Sequence, residues 1–156
     1  MELVVSVKGT KYTAEDKKTH KVLYTVKKKG LGATKFILLD ASNYQLYSLL
    51  QGTMDRKPVF NVTHNDMGFM TIYCQSLFLD PSFKVEGREK FDIVSKDRHD
   101  FQIISGDRQV GRIVTLITVA NELQYEIEIE DKYFDDYVVF FVVAVDRAFG
   151  EMNRPQ

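Results

Sequence analysis

Three consecutive lysines, Lys27, Lys28 and Lys29, precede Gly30-Leu31-Gly32, and Lys35 follows shortly after. Ammonium groups on both arms of a glycine-containing turn, with backbone N–H groups at the turn itself, are suited to a phosphate or another small anion. The pattern is not a P-loop, because the Gly-Lys-Ser/Thr ending is absent. These four lysines are candidates for contact with an anionic lipid headgroup. The competing reading is a solvated hairpin whose lysines discourage edge-to-edge strand pairing.

Overall charge adds nothing general to this. Lys and Arg number 21 against 22 Asp and Glu, a net charge of −1, so the chain has no broad attraction to polyanions. The charges are uneven, however: residues 8–35 are rich in lysine with only Glu15 and Asp16 against them, whereas residues 122–136 are acidic apart from Lys132. No basic recognition motif or aromatic stacking signature is present, and no nucleic acid partner is expected.

Residues that would do catalysis or hold a metal are sparse. His20, His64 and His99 are far apart, and none shows the i, i+4 pairing of a helical zinc site. His64 with Asp66, and Asp97 with His99 and Asp100, carry suitable donor atoms, but both groups fall in turns, where local hydrogen bonding is the expected use. There is no Gly-x-Ser-x-Gly nucleophile elbow, and no cofactor is expected. Glu126, Glu128 and Glu130 fit strand alternation better than paired-acid chemistry. Cys74 is the only cysteine. Lying in the apolar run 69–74, it reads as a small buried hydrophobe, excludes an internal disulfide framework and favours a reducing compartment. Residues 1–7 read as a strand rather than a secretory leader. A cytoplasmic protein is expected.

The elements behind these residues are mostly short strands. Between residues 122 and 130, Leu123, Tyr125, Ile127 and Ile129 alternate with Gln124 and the glutamates, as a strand with one wet face should. Similar runs cover 3–7, 22–26, 36–39, 45–50, 59–63, 69–74, 83–85, 91–94, 101–104 and 110–119, separated by turn-forming clusters. Residues 12–20 look loose, and 152–156 look frayed. Residues 60–72 and 101–116 echo one another as two hairpins of one design. About twelve strands form one domain spanning 1–156.

Residues 137–145 differ from all of this, being apolar without a break. The run is about half the roughly 20 residues of a membrane-spanning helix. Asp135 as N-cap, Asp136 at the positive end and Gly150 as a left-handed C-cap predict a helix from about 136 to 149. Apolar on every side, it must be buried on every side. A barrel of about twelve strands has an interior wider than its own side chains can fill. The helix is the expected plug, contributing on the order of 15 to 25 kcal/mol gross by burial. Asp146 and Arg147 at its end are expected to pair structurally with the barrel rim.

Many short strands, then Tyr125-Glu-Ile127-Glu-Ile129 and 136–147, resemble the tubby C-terminal-like superfamily, in particular its LURP-one-related branch, to which phospholipid scramblases are also similar. The resemblance implies a mainly β fold, a closed antiparallel barrel of about twelve strands around a central hydrophobic C-terminal helix. Similarity to tubby domains implies phosphoinositide binding through basic side chains; similarity to scramblases implies a link to membrane lipid. The chain lacks the cysteine cluster, EF-hand-like loop and proline-rich leader of scramblases, so any membrane contact is expected to be peripheral. The expectation is a non-enzymatic intracellular module that binds phospholipid headgroups or a partner protein. The alternative is an enzyme or small apolar-ligand binder with a site at the barrel mouth.

Overall fold

The computed structural model describes residues 1–31 and 34–154. Gly32, within the lysine-flanked turn, and residues 155 and 156 of the tail lie outside them. Twelve strands form one closed antiparallel barrel in which each strand pairs with its neighbours in sequence and β1 pairs with β12. They are β1 (Glu2–Lys8), β2 (Lys11–Asp16), β3 (Val22–Lys29), β4 (Lys35–Asp40), β5 (Gln45–Met54), β6 (Lys57–His64), β7 (Met67–Ser76), β8 (Ser82–Glu86), β9 (Phe91–Ser95), β10 (Asp100–Ser105), β11 (Arg108–Ile117) and β12 (Leu123–Ile129). A 3-10 turn (Asp136–Val138) leads into α1 (Val139–Asn153).

Side-chain alternation decides which face of each strand meets the core. Leu3, Val5 and Val7 of β1 are buried, as are Leu123, Tyr125, Ile127 and Ile129 of β12, while Glu126, Glu128 and Glu130 face out. β2 was expected to be loose and is a strand. Its polar sequence hides a period-two pattern in which Tyr12 and Ala14 point inward, so only residues 17–21 form the loop. The two echoed hairpins are β6–β7 and β10–β11, and each carries a register shift just before its turn, at Val62/Thr63 and Ile103/Ile104. Gly111 is demanded by a close approach, since a Cβ there would sit 2.6 Å from the Glu128 carbonyl oxygen.

The core is the helix and the inner barrel wall together. Residues 138–145 are wholly buried. Phe141 meets Phe91 edge-on at 5.6 Å between ring centres, and Phe149 meets Phe83 at 5.7 Å and Phe101 at 5.6 Å. The helix ends differ from expectation. Asp135 does accept the Asp136 N–H at 2.6 Å, but it caps the 3-10 turn that precedes α1. Gly150 is not a C-cap, because α1 continues through it to Asn153, whose side chain donates to the Arg98 carbonyl at 2.9 Å. What requires Gly150 is space: a Cβ there would lie 2.6 Å from a carboxylate oxygen of Asp146. Met152 and Asn153 are likewise helical rather than frayed.

Candidate functional site

Antiparallel neighbours place alternate loops at opposite ends of a barrel. The β1–β2, β3–β4, β5–β6, β7–β8, β9–β10 and β11–β12 loops share one end, and α1 finishes there, since Asn153 bonds to Arg98 in the β9–β10 loop. The candidate lysines belong to this end. Lys27, Lys28 and Lys29 pair with Ile37, Phe36 and Lys35 respectively. Val26 and Phe36 are buried, so Lys27, Lys29 and Lys35 lie on the outer face, while Lys28 follows the inner face to the mouth of the barrel. There it lies beside the Phe36 ring, over which the Arg147 guanidinium sits at 5.5 Å. Arg147 also donates from Nε to the Gln51 side-chain oxygen at 2.8 Å.

The structure adds two lysines to the group. Lys8 and Lys11 are direct cross-strand partners at the β1–β2 turn. Lys11 and Lys27 each follow the last β2–β3 pair, Tyr12↔Val26, on the same outer face. Two like-charge pairs, Lys8↔Lys11 and Lys29↔Lys35, thus stand directly opposite one another, an arrangement that works against pairing. Among the described residues none of these six ammonium groups takes part in a salt bridge. The sequence signal for Lys8 and Lys11 was the alternation in β2, which marks the strand that brings them alongside Lys27.

The acidic side of the molecule is different, because several of its carboxylates find cations within the protein. Arg108 grips Glu130 with bonds of 2.6 and 3.0 Å, Arg112 grips Asp100 with bonds of 2.8 and 2.6 Å, and Lys17 reaches Glu126 at 3.1 Å. Hydrogen bonding to these carboxylates raises both arginines above their ordinary range. The edge-protection reading of the lysines also loses most of its basis. A closed barrel has no edge strand, and only Lys27 to Lys29 overhang β2.

The other candidate groups serve structure. Asp97 accepts the N–H groups of His99 at 2.9 Å and Asp100 at 3.0 Å, and these bonds hold its carboxyl below the usual range. His64 lies 3.0 Å through Nδ1 from the Leu46 carbonyl, with its ring packed against Tyr47. Among the described residues no three His, Cys, Asp or Glu side chains gather as a metal site. Cys74 is buried, and burial pushes its thiol up to about 11. Asp146, 7% exposed, accepts bonds from the Tyr12 hydroxyl at 2.6 Å and the Tyr125 hydroxyl at 2.7 Å rather than pairing with a rim cation. Burial first, and then the adjacent carboxylate, keep both phenols protonated donors far above their ordinary range. At the other end of the helix Tyr24 donates to Asp136.

A closed twelve-strand antiparallel barrel with a single C-terminal helix is the tubby-like architecture. A family model described as LURP-one-related matches residues 2–146. The chain belongs to that family, a branch of the tubby-like superfamily that is not generally enzymatic. No curated protein and no solved structure matches it. No helix among the described residues is long and apolar enough to cross a membrane.

Proposed function

We propose that this protein is a non-enzymatic cytoplasmic module that binds anionic phospholipid headgroups through Lys27, Lys28, Lys29 and Lys35, with Lys8 and Lys11 alongside. The observation that carries the reading is the contrast between the two charged regions: Glu126 and Glu130 of the acidic stretch find internal cations, whereas the lysines of β1 to β4 face one another without an acidic partner. Two opposed lysine pairs are relieved by a bound phosphate, whose oxygens accept from several ammonium groups at once. Membership of the LURP-one-related family is consistent with a binding role. Each lysine near an anionic leaflet contributes about 1 kcal/mol, so a cluster gives useful affinity with no deep pocket.

Vesicle co-sedimentation tests this directly. Wild-type protein should pellet with phosphatidylserine- or phosphoinositide-containing vesicles and stay in solution with neutral phosphatidylcholine vesicles. Binding should weaken between low and moderate salt, because exposed charges are screened. A soluble inositol polyphosphate that competes the protein off assigns the contact to the headgroup. Equal binding to neutral and anionic vesicles, or binding to neither, would remove the reading in favour of a protein partner.

A further inference from the structure

At the lysine-bearing end, loops with an exposed apolar tip alternate around the ring with loops that have none, and the β3–β4 hairpin carries both tip and cations, Leu31 lying between Lys29 and Lys35. The β1–β2 turn carries Lys8 and Lys11, the β5–β6 turn Arg56 and Lys57, and the β9–β10 loop Lys96 and Arg98. The loops between them end in apolar side chains: Leu31 in β3–β4, Phe78 and Leu79 in β7–β8, and Val119 in β11–β12. Leu31 and Val119 are fully exposed, and Phe78 and Leu79 are 80% and 85% exposed. These apolar tips are four strands apart in the closed order, hence evenly spaced about the barrel. A Phe-Leu pair held in water at a loop tip has no role in the barrel's own core.

The β7–β8 tip is held in shape rather than slack. The Ser76 hydroxyl donates to the Leu79 carbonyl, and the Ser95 N–H donates to the Pro81 carbonyl at 2.8 Å. Beside it a surface hollow of about 430 Å³ is lined by Arg56 and Lys57 on one side and by Leu77, Phe78 and Leu79 on the other. The opposite end is of mixed charge, with Lys18, Lys21, Arg88 and Lys90 standing among Asp66, Glu89 and Asp107, and with Tyr44 and Met67 exposed. Its exposed Met67 adjoins Asp66, and the segment before α1 adds Asp131, Asp135 and Asp136.

Resting on the headgroup reading above, we infer that the protein docks end-on upon an anionic bilayer, Leu31, Phe78–Leu79 and Val119 entering the interface as three feet while the basic turns between them meet the headgroups. Apolar side chains beside cations match the layered chemistry of such a surface, acyl chain below and phosphate above. Three evenly spaced feet set the barrel axis, and with it α1, upright on the membrane. The lysines alone would give adsorption without a fixed orientation.

The test uses the full-length chain carrying an environment-sensitive dye on a single introduced cysteine, at Phe78→Cys, Val119→Cys or, as the opposite-end control, Met67→Cys. Cys74 is buried and its thiol poorly ionised, so it competes little for label. On phosphatidylcholine vesicles containing about one third phosphatidylserine, the dyes at 78 and 119 should shift to the blue and be quenched by brominated acyl chains, and the dye at 67 should not change. Unlabelled Phe78→Ser/Leu79→Ser protein should pellet at least tenfold less than wild type at equal lipid, with an unchanged melting temperature. If wild type pellets but the dyes at 78 and 119 stay in water, or respond no more than that at 67, the end-on inference fails and headgroup binding stands. If wild type does not pellet, both fail. A blue shift that grows with protein concentration in the absence of lipid marks the tips as a self-association surface and also overturns the inference.

Discussion

Asp146 shows how a single charged residue can be tolerated inside an apolar plug. Its two oxygens take one hydroxyl each from Tyr12 and Tyr125, at 2.6 and 2.7 Å, so the helix is fastened to β2 and β12, the two strands that flank β1. Replacing Tyr12 with Phe leaves the carboxylate short of a donor and should cost about 1.5 to 3 kcal/mol. Because Tyr125 shares the same acceptor, the double Tyr→Phe variant should depart from additivity in a denaturant-melt cycle. Gly150→Ala sets two effects against each other. Alanine gains about 1 kcal/mol of helix propensity, but its Cβ meets Asp146 at 2.6 Å where two tyrosines prevent retreat, and overpacking of this kind costs about 1 to 3 kcal/mol. The variant should be less stable than wild type. Cys74 gives a further readout: raised from 9.0 to about 11 by burial, its thiolate population at mildly alkaline pH falls about a hundredfold. A thiol reagent should modify it slowly in native protein and rapidly in denaturant. The burial of Cys74 was legible from the run around it. The work of Asp146 and Gly150 was not, because Tyr12 is 134 residues from its partner and local spacing carries no trace of such a contact.

Among the elements, α1 was the most legible and its ends the least. The apolar run 137–145 by propensity suits a strand; the helix is read from Asp135, Asp136 and Gly150 at its ends, and its burial on all sides from the unbroken run. Its start falls to a 3-10 turn, and its end passes beyond Gly150 because Asn153 finds the Arg98 carbonyl. Deleting residues 136–156 should empty the barrel and yield an insoluble or molten product, with far-UV signal kept and near-UV signal lost. A cooperative melt of the truncated chain would show that the strands close without a plug. β2 escaped the sequence reading because Lys11, Thr13, Glu15 and Asp16 mask the inward Tyr12 and Ala14. That omission also hid Lys8 and Lys11 as neighbours of Lys27.

On the scale of the whole molecule, closure of the ring gives the charges their meaning. Once β1 pairs with β12, Glu126 and Glu130 lie against Lys17 of the β2–β3 loop and Arg108 of β11, while the lysine-rich strands turn their uncompensated charge toward the end where α1 stops. A net charge of −1 conceals this polarity completely. The four lysines named from sequence lie in one hairpin; the alternation of the other basic turns, at Lys8 and Lys11, Arg56 and Lys57, and Lys96 and Arg98, with the apolar tips becomes visible only when strand order is known. The central claim is that these lysines bind anionic lipid, and the most direct measurement is co-sedimentation of the Lys27→Gln/Lys28→Gln/Lys29→Gln variant with phosphatidylserine-containing vesicles at low salt. With about 1 kcal/mol lost per lysine, the variant should retain the wild-type melting temperature while its lipid affinity drops roughly a hundredfold. A folded variant that pellets as well as wild type would contradict the account.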